Sequence, residues 1–205
     1  MMTNVYLVRH GESEWNIHNK VQGKTDIELS KKGIKQAELL AERLEKENIE
    51  HIYTSDLKRA KKTAELIQRR IGIDPVEMEI YREIGLGPWE GLTIAEIKEN
   101  YNEHYRIYRE EPASFILPGA ETILEVADRV CRGILDIVSR HKNSNILVVS
   151  HGVAIKSAVI KILDIDISKY NRFRIDNASI TILSFSDVYS GGVVVNTLND
   201  ISHLI

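Results

Sequence analysis

The 205-residue sequence predicts an α/β fold with a mostly parallel sheet that ends in a C-terminal antiparallel hairpin. Three observations predict it. Strand and helix patterns alternate through most of the chain, as in successive βαβ units. Two short apolar runs, 5–8 and 146–149, are continuous rather than alternating, which marks strands buried on both faces. The last two strand patterns have no helix between them, so they pair as a hairpin.

In order, residues 5–9 form the first strand. Residues 12–27 show no clean period, contain Gly23 and Asp26, and are expected to be loop. A helix starts at Lys31, capped by Ser30, with Ile34, Ala37, Leu40, Ala41 and Leu44 on one face. Residues 51–54 are the second strand. Ser55 then reads as the N-cap of a helix to about Gly72, with Leu57, Ala60, Ala64, Ile67 and Ile71 buried. Arg59 falls in the first turn, off that stripe and near the strand's carboxyl end. Residues 75–80 are a third strand and 82–91 a glycine-rich loop. Thr93 and Glu96 form a capping box for a helix through about Tyr108. Its Tyr101, Tyr105 and Tyr108 stand at three-four spacing and read as the buried face of a helix beside the site. Residues 112–119 are loop. A second capping box, Thr122 with Glu125, opens a long helix to about His141, with Val126, Ala127, Val130, Cys131, Ile134 and Ile137 inward. After the 146–150 strand, Ile155, Ala158, Val159 and Ile162 mark another helix. Strands 179–185 and 192–198 turn at Gly191-Gly192. No repeat, low-complexity tract or linker interrupts the chain, so residues 1–205 read as a single domain.

Composition excludes several classes. Lys and Arg total 27 and Asp and Glu 30, a net charge of −3, so nothing drives the chain as a whole toward nucleic acid or an anionic membrane. The single cysteine, Cys131, permits no intrachain disulfide and suits a reducing compartment. No signal peptide is recognisable, and no apolar run approaches the ~20 residues that span a bilayer. A cytoplasmic protein is the expectation.

The chemistry gathers where strands end. Arg9-His10-Gly11 and Ser150-His151-Gly152 both follow buried strands, and the carboxyl ends of parallel strands are where α/β proteins place their sites. Two histidines facing one crevice, with arginines beside them, would attract a dianion such as phosphate. A neutral imidazole attacks phosphorus without a strong base and divides one displacement into two. Arginine forks grip phosphate oxygens in pairs, and N–H groups at a helix start add to them. A carboxylic acid is still needed to protonate the leaving oxygen. Glu83, in the glycine-rich loop, is the best-placed candidate, with Glu12, Glu79 and Glu90 as rivals that periodicity does not exclude.

These residues carry a family resemblance. Arg9-His10-Gly11-Glu12-Ser13-Glu14-Trp15-Asn16 resembles the Arg-His-Gly motif of the histidine phosphatase superfamily, the phosphoglycerate mutase-like proteins. Val21-Gln22-Gly23, with Asp26, Leu29-Ser30 and Gly33, is similar to the next block. Residues 53–60, with Thr63-Ala64, resemble the block holding the phosphate-binding arginine. Arg82-Glu83-Ile84 and residues 87–91 resemble the block holding the general acid, and residues 118–122 and 148–152 complete six blocks in order. The resemblance implies a three-layer α/β/α, phosphoglycerate mutase-like fold. It implies that His10 becomes phosphohistidine, that Arg9, Arg59 and His151 complete the phosphate pocket, and that Glu83 is the general acid and base. Asn16 and the Gln22-Gly23 turn would line the substrate mouth, while Gly11, Ser13 and Gly152 would make further polar or backbone contacts. No metal and no cofactor is implied, and none of the seven histidines forms a His-x-x-x-His pair. The partners implied are small phosphorylated metabolites; the hairpin or a helix face could also pair two copies as a homodimer.

Taken alone, His10 or His151 would be a structural histidine, Arg59 a solvated charge and Asn16 a turn residue; the paired His-Gly turns and the ordered blocks favour chemistry. A phosphomonoester hydrolase is the first expectation, similar to the small broad-specificity and α-ribazole phosphatases. Mutases of the family are usually longer and carry adjacent arginines after the acid block. Residues 92–121 are compact and contain Arg106 and Arg109, which are not adjacent. The alternatives are a cofactor-dependent phosphoglycerate mutase and a non-catalytic relative that binds phosphorylated ligands.

Overall fold

A computed structural model describes residues 2–188 and 192–205. Its centre is a six-stranded sheet of order β3-β2-β4-β1-β5-β6, built from β1 (Thr3–Arg9), β2 (His51–Thr54), β3 (Pro75–Glu77), β4 (Asn145–Ser150), β5 (Ile180–Phe185) and β6 (Val193–Asp200). The first four are parallel; β5 runs antiparallel to β1 and pairs with β6 as the expected hairpin. Of the expected turn there, Gly191 lies outside the described residues.

The period of two in β1 and β4 explains the layers. Val5, Leu7, Ile146 and Val148 enter one core with Val126, Val130, Ile134, Ile155 and Val159. Tyr6, Val8, Leu147 and Val149 enter the other with Leu40, Leu44, Ala60, Ala64 and Ile67. Helices α2 (Lys31–Leu44) and α3 (Lys58–Ile71) therefore cover one face, and α6 (Ile123–Arg140) and α7 (Gly152–Ile162) the other. The three-layer α/β/α expectation is borne out. Among the described residues no helix is long and apolar enough to cross a membrane.

Several local expectations are corrected. Residues 12–27 include a short helix, α1 (Glu14–Ile17), closed by a capping box of Ser13 with Asn16; an asparagine at the third position stands where the usual pattern has Glu or Gln. Ser55 does not cap α3. The Lys58 N–H donates to Asp26 Oδ1 at 2.7 Å, which leaves the Ser55 hydroxyl for the site. The third strand stops at Glu77 because Tyr81 must fill the core, and the chain tightens into a 3-10 turn, Glu79–Tyr81. The 93–108 helix breaks at Tyr101 (φ −135°, ψ 37°) into α4 (Ile94–Asn100) and α5 (Asn102–Glu110). The break lets Tyr101, Tyr105 and Tyr108 all reach Trp89, at ring distances of 6.3, 6.4 and 5.7 Å.

Trp89 is buried and also meets Phe115, so it ties the α4–α5 segment to the core. Trp89→Ala should cost about 3–5 kcal/mol of stability, read as a shift in a denaturant midpoint at constant slope.

Candidate active site

The sheet places the site. β1 pairs directly with β4, with Arg9 opposite Ser150, and β2 flanks β4 on its other side. The residues after these three strands, His10, His151 and Ser55, therefore stand side by side at the carboxyl edge. The His10 N–H donates to the Ser150 carbonyl at 3.0 Å and the Ser55 N–H to the Val149 carbonyl at 2.9 Å. His10 and His151 lie edge to face, ring centres 5.1 Å apart at 62°.

His10 is buried, with Nδ1 2.6 Å from the Gly11 carbonyl oxygen. A carbonyl only accepts, so Nδ1 carries the ring proton and Nε2 keeps its lone pair. Burial, then Arg59 and Arg9, pushes the His10 imidazolium well below the ordinary histidine range, so the ring is neutral. His151 is depressed likewise, by burial and then Arg59. Its Nε2 is 2.8 Å from Ser55 Oγ, and its buried Nδ1 has no partner among the described residues.

Both arginines are anchored through their terminal nitrogens. Arg9 Nη1 donates to the Ile175 carbonyl at 2.7 Å. Arg59, buried despite its charge, donates to the carbonyls of Thr25 and Gly23, each at 2.8 Å. Burial lowers Arg59 to about 10, still charged at neutral pH. The Nε atoms of both are buried and unpartnered among the described residues. With His151 Nδ1, they make three buried polar atoms around His10 that a phosphoryl group would satisfy.

Glu83 is held at the start of α7. Its Oε1 accepts from the Ile84 and Ala154 N–H groups, each at 3.0 Å, and its Oε2 from Val153 at 3.2 Å. From behind, Arg129 donates to the carbonyls of Ile80, Arg82 and Glu83 and to Glu121, fixing the loop that carries the carboxylate. The rival carboxylates are engaged elsewhere. Glu12 takes Ser30 and Lys32, and Glu79 is an exposed partner of Arg82. Glu90 accepts from Lys24, Thr25 and Leu86 and shapes the mouth.

A cavity of about 190 Å3 has Arg9, His10, Asn16, Gln22, Gly23, Arg59 and Glu83 in its wall, with Lys20, Ile84, Leu86, Tyr108 and Val153. The larger groove of about 790 Å3, along α2 and α3, contains none of these residues. Ser13 and Gly11 stand one step back. The Ser13 hydroxyl lies 2.8 Å from Gln22 Oε1 and 3.0 Å from Asn16 Oδ1, so it sets both mouth residues. The Gly11 N–H donates to Thr63, and a side chain on Gly11 would meet the Gly33 carbonyl oxygen at 2.4 Å. Gly23, at φ 53°, would drive a Cβ into Glu90. Gly152 packs against Arg9.

Sequence reasoning missed Tyr108, Arg129 and Asn177. Tyr108 shares the spacing of its two neighbours, so its position in the cavity wall left no signal. Asn177 Nδ2 donates to the carbonyls of His10 and Gly11 and to Asn16 Oδ1, and the next residue, Ala178, sits at φ 56° with its N–H near the Arg9 and His10 carbonyls. That turn clamps the backbone of His10 and Gly11 from the far end of the chain.

Comparison with known proteins finds matches over nearly the whole chain. Residues 5–201 match the model of the histidine phosphatase superfamily, branch 1. Phosphoserine phosphatase 1 of Hydrogenobacter thermophilus is 36% identical over 203 residues, covering 99% of this chain and 95% of that protein. A probable phosphoglycerate mutase GpmB of Salmonella choleraesuis is 36% identical over 205 residues, with the same coverage. The crystal structure of a mutant phosphoserine phosphatase from Entamoeba histolytica, in complex with phosphoserine, gives a TM-score of 0.87 at 34% identity, covering 99% of this chain and 100% of that one.

Proposed function

The chain belongs to the histidine phosphatase superfamily, and on that premise we propose that it hydrolyses small phosphomonoesters by double displacement through His10. His10 Nε2 attacks phosphorus, the phosphorus–oxygen bond to the alcohol breaks, and the Glu83 carboxylic acid gives that oxygen its proton. Water then attacks the phosphohistidine, Glu83 takes a proton from it, the nitrogen–phosphorus bond breaks, and phosphate leaves. Arg9 and Arg59 hold the equatorial oxygens. When Ser55 gives its hydroxyl hydrogen to His151 Nε2, Nδ1 carries the other ring proton and becomes a third donor.

The observation that carries this reading is the buried His10, its Nδ1 committed to the Gly11 carbonyl, between two arginines with unpartnered Nε atoms. The phosphoserine phosphatase names of the similar proteins support it. Arg9 and Arg59 supply the positive charge and His151 a further hydrogen-bond donor, so this mechanism needs no metal. Phosphate release from a panel of phosphomonoesters should therefore survive EDTA unchanged; loss of all release on chelation, restored by a divalent cation, would overturn the mechanism.

The mutase reading rests on the relative named as a probable phosphoglycerate mutase. It asks for transfer from His10 to a phosphoglycerate hydroxyl in place of water. In this chain Arg106 is tied to Glu103, Glu110 and Glu111, which favours water as the acceptor. Isomerisation of a phosphoglycerate without phosphate release would reverse that order.

A further inference from the structure

Beside the phosphate chamber lies a second cavity of about 350 Å3, which shares Arg9, Glu83, Tyr108 and Val153 with it. Beyond that common wall the second cavity is lined by Lys156 and by Tyr170 of the 3-10 turn Ile167–Arg172. Lys156 sits one turn into α7, two residues past the Val153–Ala154 N–H pair that grips Glu83, and it is half-buried. Its Nζ lies 3.7 Å from the centre of the Tyr170 ring, and among the described residues it makes no ion pair. The carboxylates nearby are already engaged. Glu83 is held by three N–H groups, and Asp176 by Arg174 and Asn199. A half-buried ammonium resting on an aromatic face, with the carboxylates of its cavity held by other donors and none in ion-pair contact with it, is free to take an anion.

We propose that this second cavity is a subsite for an anionic group on the alcohol half of the phosphomonoester, with Lys156 as the residue that selects for it. The proposal rests on the hydrolase reading, because it needs the phosphate in the neighbouring chamber. A carboxylate and a second phosphate share the required chemistry. Lys156 is lowered to about 8, by burial first and then by Arg109, with Glu83 opposing and Arg9 adding to the fall. Tyr108 and Arg109 face it from α5, Tyr170 from the 3-10 turn, and the Arg174–Asp176 pair from the following loop. In the free enzyme the preference for an anionic tail should therefore fade as pH rises through about 8.

The test compares kcat/KM for 3-phosphoglycerate, glycerol 3-phosphate and glycerol 1,3-bisphosphate, which differ at the far end of the alcohol. The wild type should favour one or both anionic tails over the neutral one by about 10- to 100-fold, the size of one charge-assisted contact. Which tail gains decides between carboxylate and phosphate. Lys156→Gln should bring the ratio to within about threefold of parity, and Lys156→Arg should restore most of it. Equal kcat/KM in the wild type, or equal loss on all three esters in Lys156→Gln, would overturn the subsite and leave the hydrolase reading standing. Calorimetric binding of the same esters to His10→Ala separates the two claims. A tail preference there, lost in the double variant, keeps the subsite even if the wild type hydrolyses none of them.

Discussion

Replacing His10 by alanine should remove turnover of every phosphomonoester the wild type hydrolyses, a fall of about four orders of magnitude or more. Binding of inorganic phosphate should survive in calorimetry, because Arg9, Arg59 and His151 remain. A nucleophile cannot be replaced by its neighbours here: His151 has one ring nitrogen on Ser55, and the arginines stay protonated. The same burial has a stability consequence with a definite sign. In the unfolded chain both rings take up protons as pH falls through about 6.5. In the folded chain His10 and His151 stay neutral well below that. The unfolded state then binds more protons, so stability falls as pH drops from about 7 to about 5.5. Denaturation midpoints should show that fall, and His10→Ala should lessen it.

The second large effect falls on Glu83. Glu83→Gln should slow hydrolysis of alkyl phosphates by about 10²- to 10⁴-fold, the usual reach of a general acid. It should slow p-nitrophenyl phosphate much less, because that leaving group departs without a proton. The contrast separates proton transfer from structure, and the separation is needed. Three N–H groups, from Ile84, Val153 and Ala154, share the two carboxylate oxygens, whereas an amide offers one acceptor. A purely structural loss would hit both esters alike. Equal slowing would therefore move the proton donor away from Glu83.

How much was legible in the sequence depended on how local each signal was. The buried strands ending in His10 and His151 showed themselves because a double-faced strand reads as an unbroken apolar run, and their pairing put both rings at one edge as expected. The position of Arg59 in the first turn after β2 is local and legible, but its burial is not, since its anchors are the carbonyls of Gly23 and Thr25 in a distant loop. The same distance hid the cap of α3: Ser55 is adjacent in sequence, but Asp26 supplies the acceptor. Asn177 and Arg129 left no sequence signal, because each acts on backbone carbonyls far along the chain rather than through a motif. Tyr108 was assigned to a buried face by spacing alone. Spacing gave the face, and the break at Tyr101 decided that this face would also wall the cavity.

The central claim is a covalent phosphohistidine on His10. Enzyme mixed with a radiolabelled phosphomonoester, quenched within a turnover and digested, should carry label on the peptide containing His10. The label should be stable to alkali and lost in acid, as phosphoramidates are, and it should form at least as fast as turnover. Steady hydrolysis with no labelled enzyme at any quench time, or label on another residue, would contradict the mechanism.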